Sequence, residues 1–238
     1  MISFIIPAYN EERLLGRTLT ALHTAAQALG QPFEVVVVDD ASTDRTASIA
    51  REQGAQVISV RYRQIAATRN AGAREAKGDT FVFVDADTVV TKSAVASAVE
   101  AMRRGAVGGG CAICFDGRLP LYGRILASVA VPLYRVLGLA SGCFLFCTRE
   151  AFNAAGGFDE RLFGAEEAAL SRALHRQGRF IILRELVTTS GRKLRAYSAR
   201  EIVWLLARLA LTGPKAVRRR DGLELWYGER RPDPESAV

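Results

Sequence analysis

Residues 80–87 have the sequence Thr80-Phe-Val-Phe-Val-Asp-Ala-Asp87, in which an apolar run leads directly to two acidic residues. Because the run at 81–84 is short and consists of valine and phenylalanine, it predicts a strand buried on both faces. Ligands of open α/β sheets bind at the carboxyl ends of the strands, which is where Asp85 and Asp87 stand. Uncompensated carboxylates at the edge of a core are costly. The octapeptide therefore predicts a central strand that ends in an acidic ligand site.

Apolar runs alternate with amphipathic stretches on both sides of this octapeptide. Strands are expected at residues 2–6, 33–38, 56–60 and 80–84, and helices at 11–29, 46–53, 65–77 and 92–103. Further strands are expected at 111–115, 143–147 and 180–187, further helices from 149, at 165–177 and at 198–211, and an apolar segment at 119–139. The triplet 108–110 is all glycine and is expected to lead into the strand at 111. This alternation predicts an α/β fold with a mainly parallel central sheet flanked by helices.

The formal net charge of +7 is concentrated in one segment of the 238 residues. Between residues 192 and 220, nine Lys or Arg stand against one acid, Glu201, which gives this segment +8 and leaves the remaining residues at −1. A confined basic patch suits a phosphate-rich ligand or an anionic membrane surface. Nucleic acid is not expected as a partner, because the chain has no arginine-rich arm and no nucleic-acid-binding motif.

Two features of the sequence bear on location. Residues 1–7 lack a basic region and reach Pro7 too early for a signal peptide, so export is not expected. The apolar stretch 119–147 is interrupted by Arg124 and Arg135, which leaves no uncharged run of about 18 residues to span a bilayer. We therefore expect a cytoplasmic protein.

Four cysteines raise the question of a metal site or disulfides. Cys111 and Cys114 form a Cys-x-x-Cys pair on a predicted strand, where positions three apart point to opposite faces, so one metal could not easily bind both. Cys143 and Cys147 share a face but lie among apolar neighbours. We expect buried free thiols, with a structural metal as the alternative.

A second acidic pair, Asp39-Asp40, follows the predicted strand at 33–38. Acids at two strand ends indicate one crevice with one polar ligand. Carboxylate oxygens such as those of Asp85 and Asp87 suit Mg²⁺ or Mn²⁺, which commonly bridge protein carboxylates and ligand phosphates. Glycine-rich dinucleotide and P-loop motifs are missing from the sequence, which disfavours those sites.

Six short motifs follow one another along residues 1–177. They are Ile5-Ile-Pro-Ala-Tyr-Asn-Glu-Glu12, Val38-Asp-Asp-Ala-Ser-Thr-Asp-Arg-Thr46, Ala67-Thr-Arg-Asn-Ala-Gly72, Gly78-Asp79, Val84-Asp-Ala-Asp-Thr88 and Gly156-Gly-Phe-Asp-Glu160. The ordered set resembles the family 2 glycosyltransferases with a GT-A fold, and it is far more specific than any single motif.

The resemblance implies an inverting glycosyltransferase that uses a nucleotide diphosphate sugar, with UDP favoured, and Mn²⁺ or Mg²⁺ at the Asp-x-Asp motif. It implies a catalytic domain over residues 1–190, with a nucleotide-binding half at about 1–104 and an acceptor half at about 105–190. A basic amphipathic segment at 191–229 and a flexible tail at 230–238 are expected to follow. The acceptor is not identified by the sequence, and a lipid-linked acceptor is one candidate.

The resemblance also assigns residues to the donor site. Residues implied to line the nucleoside pocket are Pro7, Tyr9, Glu11, Asp40, Asp39 as a second acid, and Arg69. Asp85 is implied to contact the nucleotide and the metal, with Asp87 the stronger candidate for a direct metal ligand. Two alternatives stay open: the acids at 39 and 40 could cap the following turn, and Arg69 could form a salt bridge on a helix face.

Inversion in a single displacement requires a base that deprotonates the acceptor hydroxyl. In similar enzymes this base belongs to a Glu-Asp pair that opens a late helix, whereas this chain has Glu166-Glu167. Glu167 is favoured and Glu166 stays open, and either could instead be a solvated first-turn acid. Arg192, Lys193 and Arg195 are candidates for contacting the diphosphate or the acceptor.

The predicted helix at 198–211 is amphipathic and is followed by a basic cluster. Ile202, Leu205, Leu206, Leu209 and Ala210 fall on one side at helical spacing. The cations that follow are Lys215, Arg218, Arg219 and Arg220. Such a face could lie in the headgroup region of an anionic membrane, or it could pack on the domain core while the cations stay solvated or bind the donor.

Two functions besides sugar transfer remain open from the sequence. A non-catalytic protein that binds sugar nucleotides or a membrane surface would keep the same scaffold. A nucleotidyltransferase would also combine metal-binding carboxylates with an α/β sheet.

Overall fold

The computed structural model describes residues 1–237, which form one mixed sheet with helices on both faces. The strands are β1 (Ile2–Ala8), β2 (Phe33–Asp40), β3 (Gln56–Val60), β4 (Thr80–Val84), β5 (Thr88–Val89), β6 (Ala106–Phe115), β7 (Phe144–Thr148) and β8 (Arg179–Thr189). The helices are α1 (Leu15–Gln27), α2 (Thr46–Glu52), α3 (Ile65–Glu75), α4 (Lys92–Arg103), α5 (Leu121–Val136), α6 (Arg149–Ala154), α7 (Glu166–His175), α8 (Arg192–Ala196), α9 (Ala199–Thr212) and α10 (Glu224–Tyr227). Short 3-10 turns cover Gly213–Arg218 and Pro234–Ala237.

The eight strands lie in the order β3-β2-β1-β4-β7-β6-β8-β5. The first four in the sheet pair in parallel, as do β6 and β8, whereas β7 runs antiparallel to both β4 and β6. The predicted α/β class with a mainly parallel sheet is therefore confirmed. The predicted first-half strands lie within two residues of the observed ones; the apolar runs of β1, β2 and β4 are largely buried, whereas the edge strand β3 is only partly buried.

The core has two layers, one on each face of the sheet. Alternate side chains of β4 supply both: Val82 and Val84 pack with α1 and α4 on one face, and Phe81 and Phe83 pack with α6 and α7 on the other. Because all four side chains are essentially inaccessible to solvent, the strand is buried on both faces, as its sequence predicts. The carboxyl end of β4 is thereby held rigidly at the sheet edge.

The glycine triplet 108–110 lies inside β6, not before a strand beginning at 111 as expected. A Cβ on Gly109 would overlap the carbonyl oxygen of Ile181 in the neighbouring β8. The strand thus uses glycine where adjacent backbones approach too closely for a side chain. Sequence propensity alone misses this, because glycine usually interrupts strands.

The cysteines are all free thiols, and Cys111, Cys143 and Cys147 are buried as expected. Cys114 is only half-buried, and its sulfur lies 3.2 Å from the hydroxyl of Thr188. Burial raises the pKa of Cys143 to about 12, so this thiol stays protonated.

The C-terminal segment folds back onto the domain through α9 and α10. Ile202 and Leu205 are buried, and Leu205 packs with Leu223 and Tyr227. Leu206 from the same predicted stripe is instead exposed, so the stripe is divided between two sides of α9; the side chain of Ala210 lies outside the described residues. Part of the stripe therefore packs on the domain, which was the alternative to membrane contact.

Within residues 1–237, no helix is both long enough and apolar enough to cross a membrane. The segment predicted to be a flexible tail makes ion pairs with Glu11 through Arg230, with Glu201 through Arg231 and with Arg195 through Asp233; its last residue, Val238, lies outside the described residues.

Candidate active site

A cleft of about 550 Å³ opens at the carboxyl ends of β1, β2 and β4. The other walls come from α5, from the start of α7, and from the segment that contains α8 and α10. The cleft contains the predicted residues Pro7, Tyr9, Glu11, Asp40, Arg69, Asp85, Asp87, Glu166, Glu167, Arg192 and Lys193. Residues that the sequence assigns to one site are therefore brought together by the fold.

The Asp-x-Asp turn after β4 is fixed from both sides. The hydroxyl of Thr18 in α1 donates to the carbonyl of Ala86 at 2.9 Å, and the N–H of Thr88 donates to the carbonyl of Asp85 at 3.0 Å. Because the residue between the acids is pinned to α1, the two carboxylates stay at the cleft wall. Asp87 also accepts a long hydrogen bond of 3.4 Å from the hydroxyl of Thr189.

Arg69 lies at the centre of a buried charge cluster. Its guanidinium donates to Asp85 at 2.9 Å, to Glu166 at 2.8 Å and to the carbonyl of Gly142 at 3.1 Å, and its side chain is only 3% exposed. Burial opposes its charge, but Asp85 and Glu166 outweigh burial and raise its pKa above the usual range. Arg69 is thus not a helix-face salt bridge: it ties β4 to α7 across the cleft.

The helix that carries Arg69 sits unusually close to the sheet. Gly72, one turn further along α3, lies against Ile5 and Val38, and a Cβ there would overlap the Ile5 side chain. The glycine of the 67–72 motif therefore allows the close packing that aims Arg69 into the cleft.

Arg192 joins the second acid of the turn to Glu11. Its guanidinium donates to the carboxylates of Glu11 and of Asp87, the latter at 3.2 Å. Glu11 is 4% exposed, and burial, followed by the charge of Asp87, raises its pKa. Lys193 lies near Asp87 and Asp85, and burial lowers its pKa. This end of the cleft thus has cations facing carboxylates.

Asp85 and Asp87 fit a divalent cation by the chemistry of their donors. Magnesium and manganese need only one or two protein carboxylates when ligand phosphates and water supply the remaining oxygens. Among residues 1–237, no group of three or more His, Cys, Asp or Glu side chains is arranged to hold a metal. A metal here would therefore have to share its coordination with a ligand.

The two acids after β2 have different partners. Asp40 accepts hydrogen bonds from the N–H groups of residues 62, 63 and 64 at 2.8 to 3.1 Å and from the Thr68 hydroxyl at 2.9 Å, so it fixes the loop before α3. Asp39 accepts from the N–H of Ser42 at 3.3 Å. Asp39 thus caps the turn after its strand, and Asp40 organises the cleft wall formed by the loop before α3.

The acids at the start of α7 are held differently from each other. Glu166 is 4% exposed and paired with Arg69, which is not the environment of a solvated first-turn acid. Glu167 faces the cleft, where burial and the neighbouring Glu166 raise its pKa to about 8. Ala165, just before them, has a left-handed backbone with φ of 58°, a strained conformation that orients the start of the helix.

Arg195 lies outside the cleft, which removes it from the candidates for diphosphate contact. Its guanidinium is paired with Asp116 at 3.1 Å and with Asp233 at 2.6 Å. These carboxylates occupy its donors on the far side of α8, so Arg195 anchors the C-terminal segment.

Sequence reasoning missed Arg63 and Arg230, which both line the cleft. The guanidinium carbon of Arg63 lies 3.4 Å from the centroid of the Tyr9 ring. Arg230 lies 2.8 Å from Glu11, although its position beside two prolines predicts a flexible tail. Neither residue belongs to a recognisable motif, so no local signal could have found it.

The wall opposite the acids is apolar. It is formed by one face of α5 and the end of β6, and its residues are Leu126, Ala127, Ala130, Val131, Tyr134, Ile113 and Phe115. The cleft therefore has a charged side suited to a phosphorylated ligand and an apolar side suited to a different group.

Comparison with known proteins identifies a family whose members resemble this chain. The family model described as glycosyl transferase family 2 matches residues 3–156. An undecaprenyl-phosphate 4-deoxy-4-formamido-L-arabinose transferase of Edwardsiella ictaluri is 36% identical over 112 residues, which are 44% of this chain and 34% of that protein. A dolichol-phosphate mannosyltransferase of Pyrococcus furiosus is 29% identical over 144 residues, 57% of this chain and 40% of that protein. The chain thus spans well under half the length of these relatives.

Two solved structures share the fold. A mannosyltransferase of Pyrobaculum calidifontis in complex with GDP-Man and Mn²⁺ has a TM-score of 0.67 and 20% identity, covering 98% of this chain and 66% of that one. Glucosyl-3-phosphoglycerate synthase of Mycobacterium tuberculosis, in complex with Mn²⁺, UDP and glucosyl-3-phosphoglycerate, has a TM-score of 0.61 and 20% identity, covering 98% and 81%. The fold is that of the GT-A transferases, as the sequence motifs imply.

Proposed function

The chain belongs to glycosyl transferase family 2, and from that membership we propose that it transfers a sugar from a nucleotide diphosphate sugar to an acceptor, inverting the anomeric centre. The observation that carries the proposal is the Asp85-Ala86-Asp87 turn at the end of a buried strand, facing Arg192 and Lys193 across one cleft. A UDP-sugar is the favoured donor.

The donor's parts match successive regions of the cleft. The nucleoside lies by Pro7, Tyr9 and the loop held by Asp40, with Glu11 and Arg69 bordering it; Asp39, also implied by the sequence, caps the turn after β2 and does not line the cleft. Asp85 and Asp87 would hold Mn²⁺ or Mg²⁺, which when bound neutralises charge on the leaving diphosphate. Arg192 and Lys193 supply further positive charge to the same oxygens.

Glu167 is the proposed base. It takes the proton of the acceptor hydroxyl as that oxygen bonds to the anomeric carbon, while the bond from this carbon to the diphosphate oxygen breaks. Attack opposite the leaving group inverts the centre. Glu166 stays open as the base, but its pairing with Arg69 favours a positioning role, because a salt-bridged carboxylate is a weaker proton acceptor.

The apolar wall favours an acceptor with an apolar part, such as a lipid-linked one. The two curated relatives described above are named for lipid-phosphate substrates, which agrees with this proposal. If the acceptor atom is a phosphate oxygen, it is already ionised at neutral pH and needs no base. The effect of removing the Glu167 carboxylate therefore distinguishes a hydroxyl acceptor from a phosphate acceptor.

Peripheral contact with an anionic membrane, on its cytoplasmic side, is proposed for the outer faces of α5 and α9. Exposed apolar side chains on these faces are Leu121, Ile125, Val129, Leu133, Val136, Val203, Trp204, Leu206 and Leu211. The helices begin close together, because the hydroxyl of Tyr122 in α5 donates to the carbonyls of Leu194 and Tyr197 just before α9. Exposed cations accompany both helices: Arg124, Arg135, Arg200, Lys215, Arg218 and Arg219. Such a surface suits the headgroup region.

Thermal shift with UDP-, GDP- and dTDP-sugars, each with and without Mn²⁺, tests the donor site. A bound donor at a hundred times its Kd stabilises the native state by about 2.7 kcal/mol, so at least one pair should raise Tm in a metal-dependent way. No shift with any nucleotide sugar would contradict the proposal.

Product assays then separate the alternatives. Metal-dependent binding without donor hydrolysis or transfer would favour a non-catalytic binding protein. Release of pyrophosphate from a nucleoside triphosphate would favour a nucleotidyltransferase.

A further inference from the structure

The segment after α10 crosses the rim of the cleft and is attached on both sides of it. Arg230 reaches the β1 side, where its guanidinium donates to the carbonyl of Tyr9 at 3.1 and 3.3 Å and pairs with Glu11 at 2.8 Å. Asp233 pairs with Arg195 of α8 at 2.6 Å. We call residues 228–233 the strap.

Glu11 is the attachment point of the strap inside the cleft. Its carboxylate holds both Arg230 and Arg192, which come from different elements of the C-terminal segment. Its second oxygen is buried and has no hydrogen-bond partner within residues 1–237, so the carboxylate can accept one more donor. A buried acid shared by two arginines fixes the positions of both guanidinium groups.

The strap also contacts the aromatic residue of the nucleoside pocket. The guanidinium carbon of Arg63 is 3.4 Å from the Tyr9 ring centroid, and that of Arg230 is 5.9 Å from it. Arg230 thus holds Tyr9 by its carbonyl and lies near its ring. A ligand stacked in this pocket would therefore contact a wall to which the strap contributes Arg230.

We propose that Arg230 is a nucleotide-positioning residue and that the strap, already attached on both sides of the cleft, covers the nucleoside end of the bound donor. This inference rests on the proposed donor site. Physically, Arg230 is held by Tyr9 and Glu11 before any ligand arrives, so little side-chain entropy remains to be lost on binding. Arg230 pairs with the same carboxylate, Glu11, as Arg192, which faces the diphosphate in the proposed donor site.

Arg231 supplies a matched control for Arg230. It is the adjacent residue with the same charge, but it pairs with Glu201 at 2.8 Å and its guanidinium carbon lies 3.8 Å from the Tyr197 ring, away from the cleft. Arg230→Met and Arg231→Met keep the aliphatic stem of the side chain and remove the charge. Titration calorimetry with UDP in the presence of Mn²⁺ gives Kd for each variant.

We expect Arg230→Met to weaken UDP binding by about tenfold or more, as for loss of a charge-assisted contact, and Arg231→Met to bind UDP like the unsubstituted protein. Tm should be similar for both variants, which separates positioning from folding. Equal affinity of Arg230→Met and the unsubstituted protein would overturn the strap proposal alone. An unsubstituted protein that binds no nucleotide would overturn the proposed function, and the strap with it.

Limited trypsin digestion of the unsubstituted protein tests, without a variant, whether the bound donor lies under the strap. The bond between Arg230 and Arg231 lies in the strap, and the bond between Arg103 and Arg104, at the end of α4, serves as an internal reference. UDP with Mn²⁺ should slow cleavage at the strap more than at the reference. An unchanged ratio of the two rates would contradict a strap that covers the bound donor.

Discussion

Carboxylates and arginines in the cleft pair in two clusters, the first with one arginine for two carboxylates and the second with two of each. In the first cluster Arg69 pairs with Asp85 and Glu166. In the second, Glu11 pairs with both Arg192 and Arg230, and Arg192 also pairs with Asp87. A divalent cation on Asp87 would compete with Arg192 for that carboxylate. Since Arg192 keeps Glu11 as a partner, we expect it to turn toward the donor diphosphate without becoming an unpaired buried charge.

Asp87→Asn is predicted to abolish transfer and to remove the Mn²⁺ dependence of UDP binding. The amide is uncharged and is a poor ligand for a hard cation. The fold should persist, because Arg192 remains paired with Glu11. Calorimetry with and without Mn²⁺ measures the change, and Asp79→Asn, at an exposed acid paired with the chain N-terminus, is the control. Normal turnover by Asp87→Asn would rule out this metal site.

Glu167→Gln is predicted to lower kcat by about a hundredfold while donor Kd stays the same, as expected for loss of a general base. Because burial and Glu166 raise the pKa of Glu167 to about 8, with Arg69 opposing and Asp85 reinforcing the shift, kcat/KM of the unsubstituted enzyme should increase as pH rises through that value. The variant should lack this limb of the profile.

Matched measurements on Glu166→Gln decide between the two acids. The same kinetic defect in that variant would reverse the roles, and no defect in either would favour a phosphate acceptor or a base elsewhere. The pH dependence of stability provides an independent test. Because the pKa of Glu167 is higher in the folded than in the unfolded protein, protonation of Glu167 favours the native state. The unsubstituted protein should therefore lose stability as pH rises toward about 8. Glu167→Gln should not show that loss in urea unfolding at a series of pH values.

At the level of elements, α9 is apolar on two sides. Its inner side packs on α10 through Leu205, Leu223 and Tyr227, and its outer side exposes Val203 and Trp204. The helix begins with a capping box in which Ser198 and Glu201 exchange hydrogen bonds, so its start is defined locally. Helical periodicity finds such a helix but cannot tell which apolar side meets the protein.

Leu205→Ala and Leu206→Ala are adjacent truncations that test this division. Leu205 is 7% exposed and Leu206 is 44% exposed. Leu205→Ala should lower the free energy of unfolding by roughly 2–4 kcal/mol, because it opens a cavity in the small cluster beneath α9. Leu206→Ala should change it by less than about 0.5 kcal/mol. Urea unfolding gives both values, and equal effects would mean that α9 is oriented differently.

Flotation with liposomes tests the outer faces of α5 and α9. The unsubstituted protein should float with anionic but not with neutral vesicles, and high salt should release it, since each cation near the surface contributes about 1 kcal/mol of attraction. Val129→Glu, at a position that is 61% exposed, should reduce flotation, as should neutralising Arg218 and Arg219. Neutralising Arg103 and Arg104 at the end of α4, which belong to neither α5 nor α9, provides the control. A protein that stays soluble with anionic vesicles at low salt would exclude this surface.

The sequence predicts a structural feature when the residues that cause it are neighbours along the chain. The octapeptide at 80–87 is such a case: its apolar run is expected to be buried, so the acids that follow it must lie at the carboxyl end of the strand. The sequence therefore predicts the mainly parallel sheet and the place of Asp85 and Asp87 in the cleft. The places of Gly109, Arg195 and Arg230 depend on neighbours distant in sequence: the β8 backbone, Asp233 and Glu11. Nothing in their local sequence encodes these contacts.

On the scale of the whole molecule, one sheet runs through both predicted halves. β4 pairs with β1 on one side and with β7 on the other, and Arg69 bridges the same boundary, so the halves share hydrogen bonds, core and charge cluster. The C-terminal segment is attached differently. It relies on the small cluster beneath α9 and on ion pairs, of which Arg192–Glu11 is buried and Arg231–Glu201 is partly exposed, and the exposed pairs contribute less to stability than the sheet core does.

The two tryptophans make this difference in attachment measurable. Trp204 lies in α9 and Trp226 in α10, so tryptophan fluorescence follows the C-terminal segment, whereas far-UV circular dichroism follows mainly the sheet and its helices. We predict that in urea the fluorescence transition has a lower midpoint than the circular dichroism transition, because weakly packed segments open before the core. UDP with Mn²⁺ should bring the midpoints together, since the nucleotide and the strap meet at Arg230. Coincident transitions without ligand would show that the C-terminal segment unfolds as part of the domain, and a gap that ligand leaves unchanged would separate the segment from donor binding.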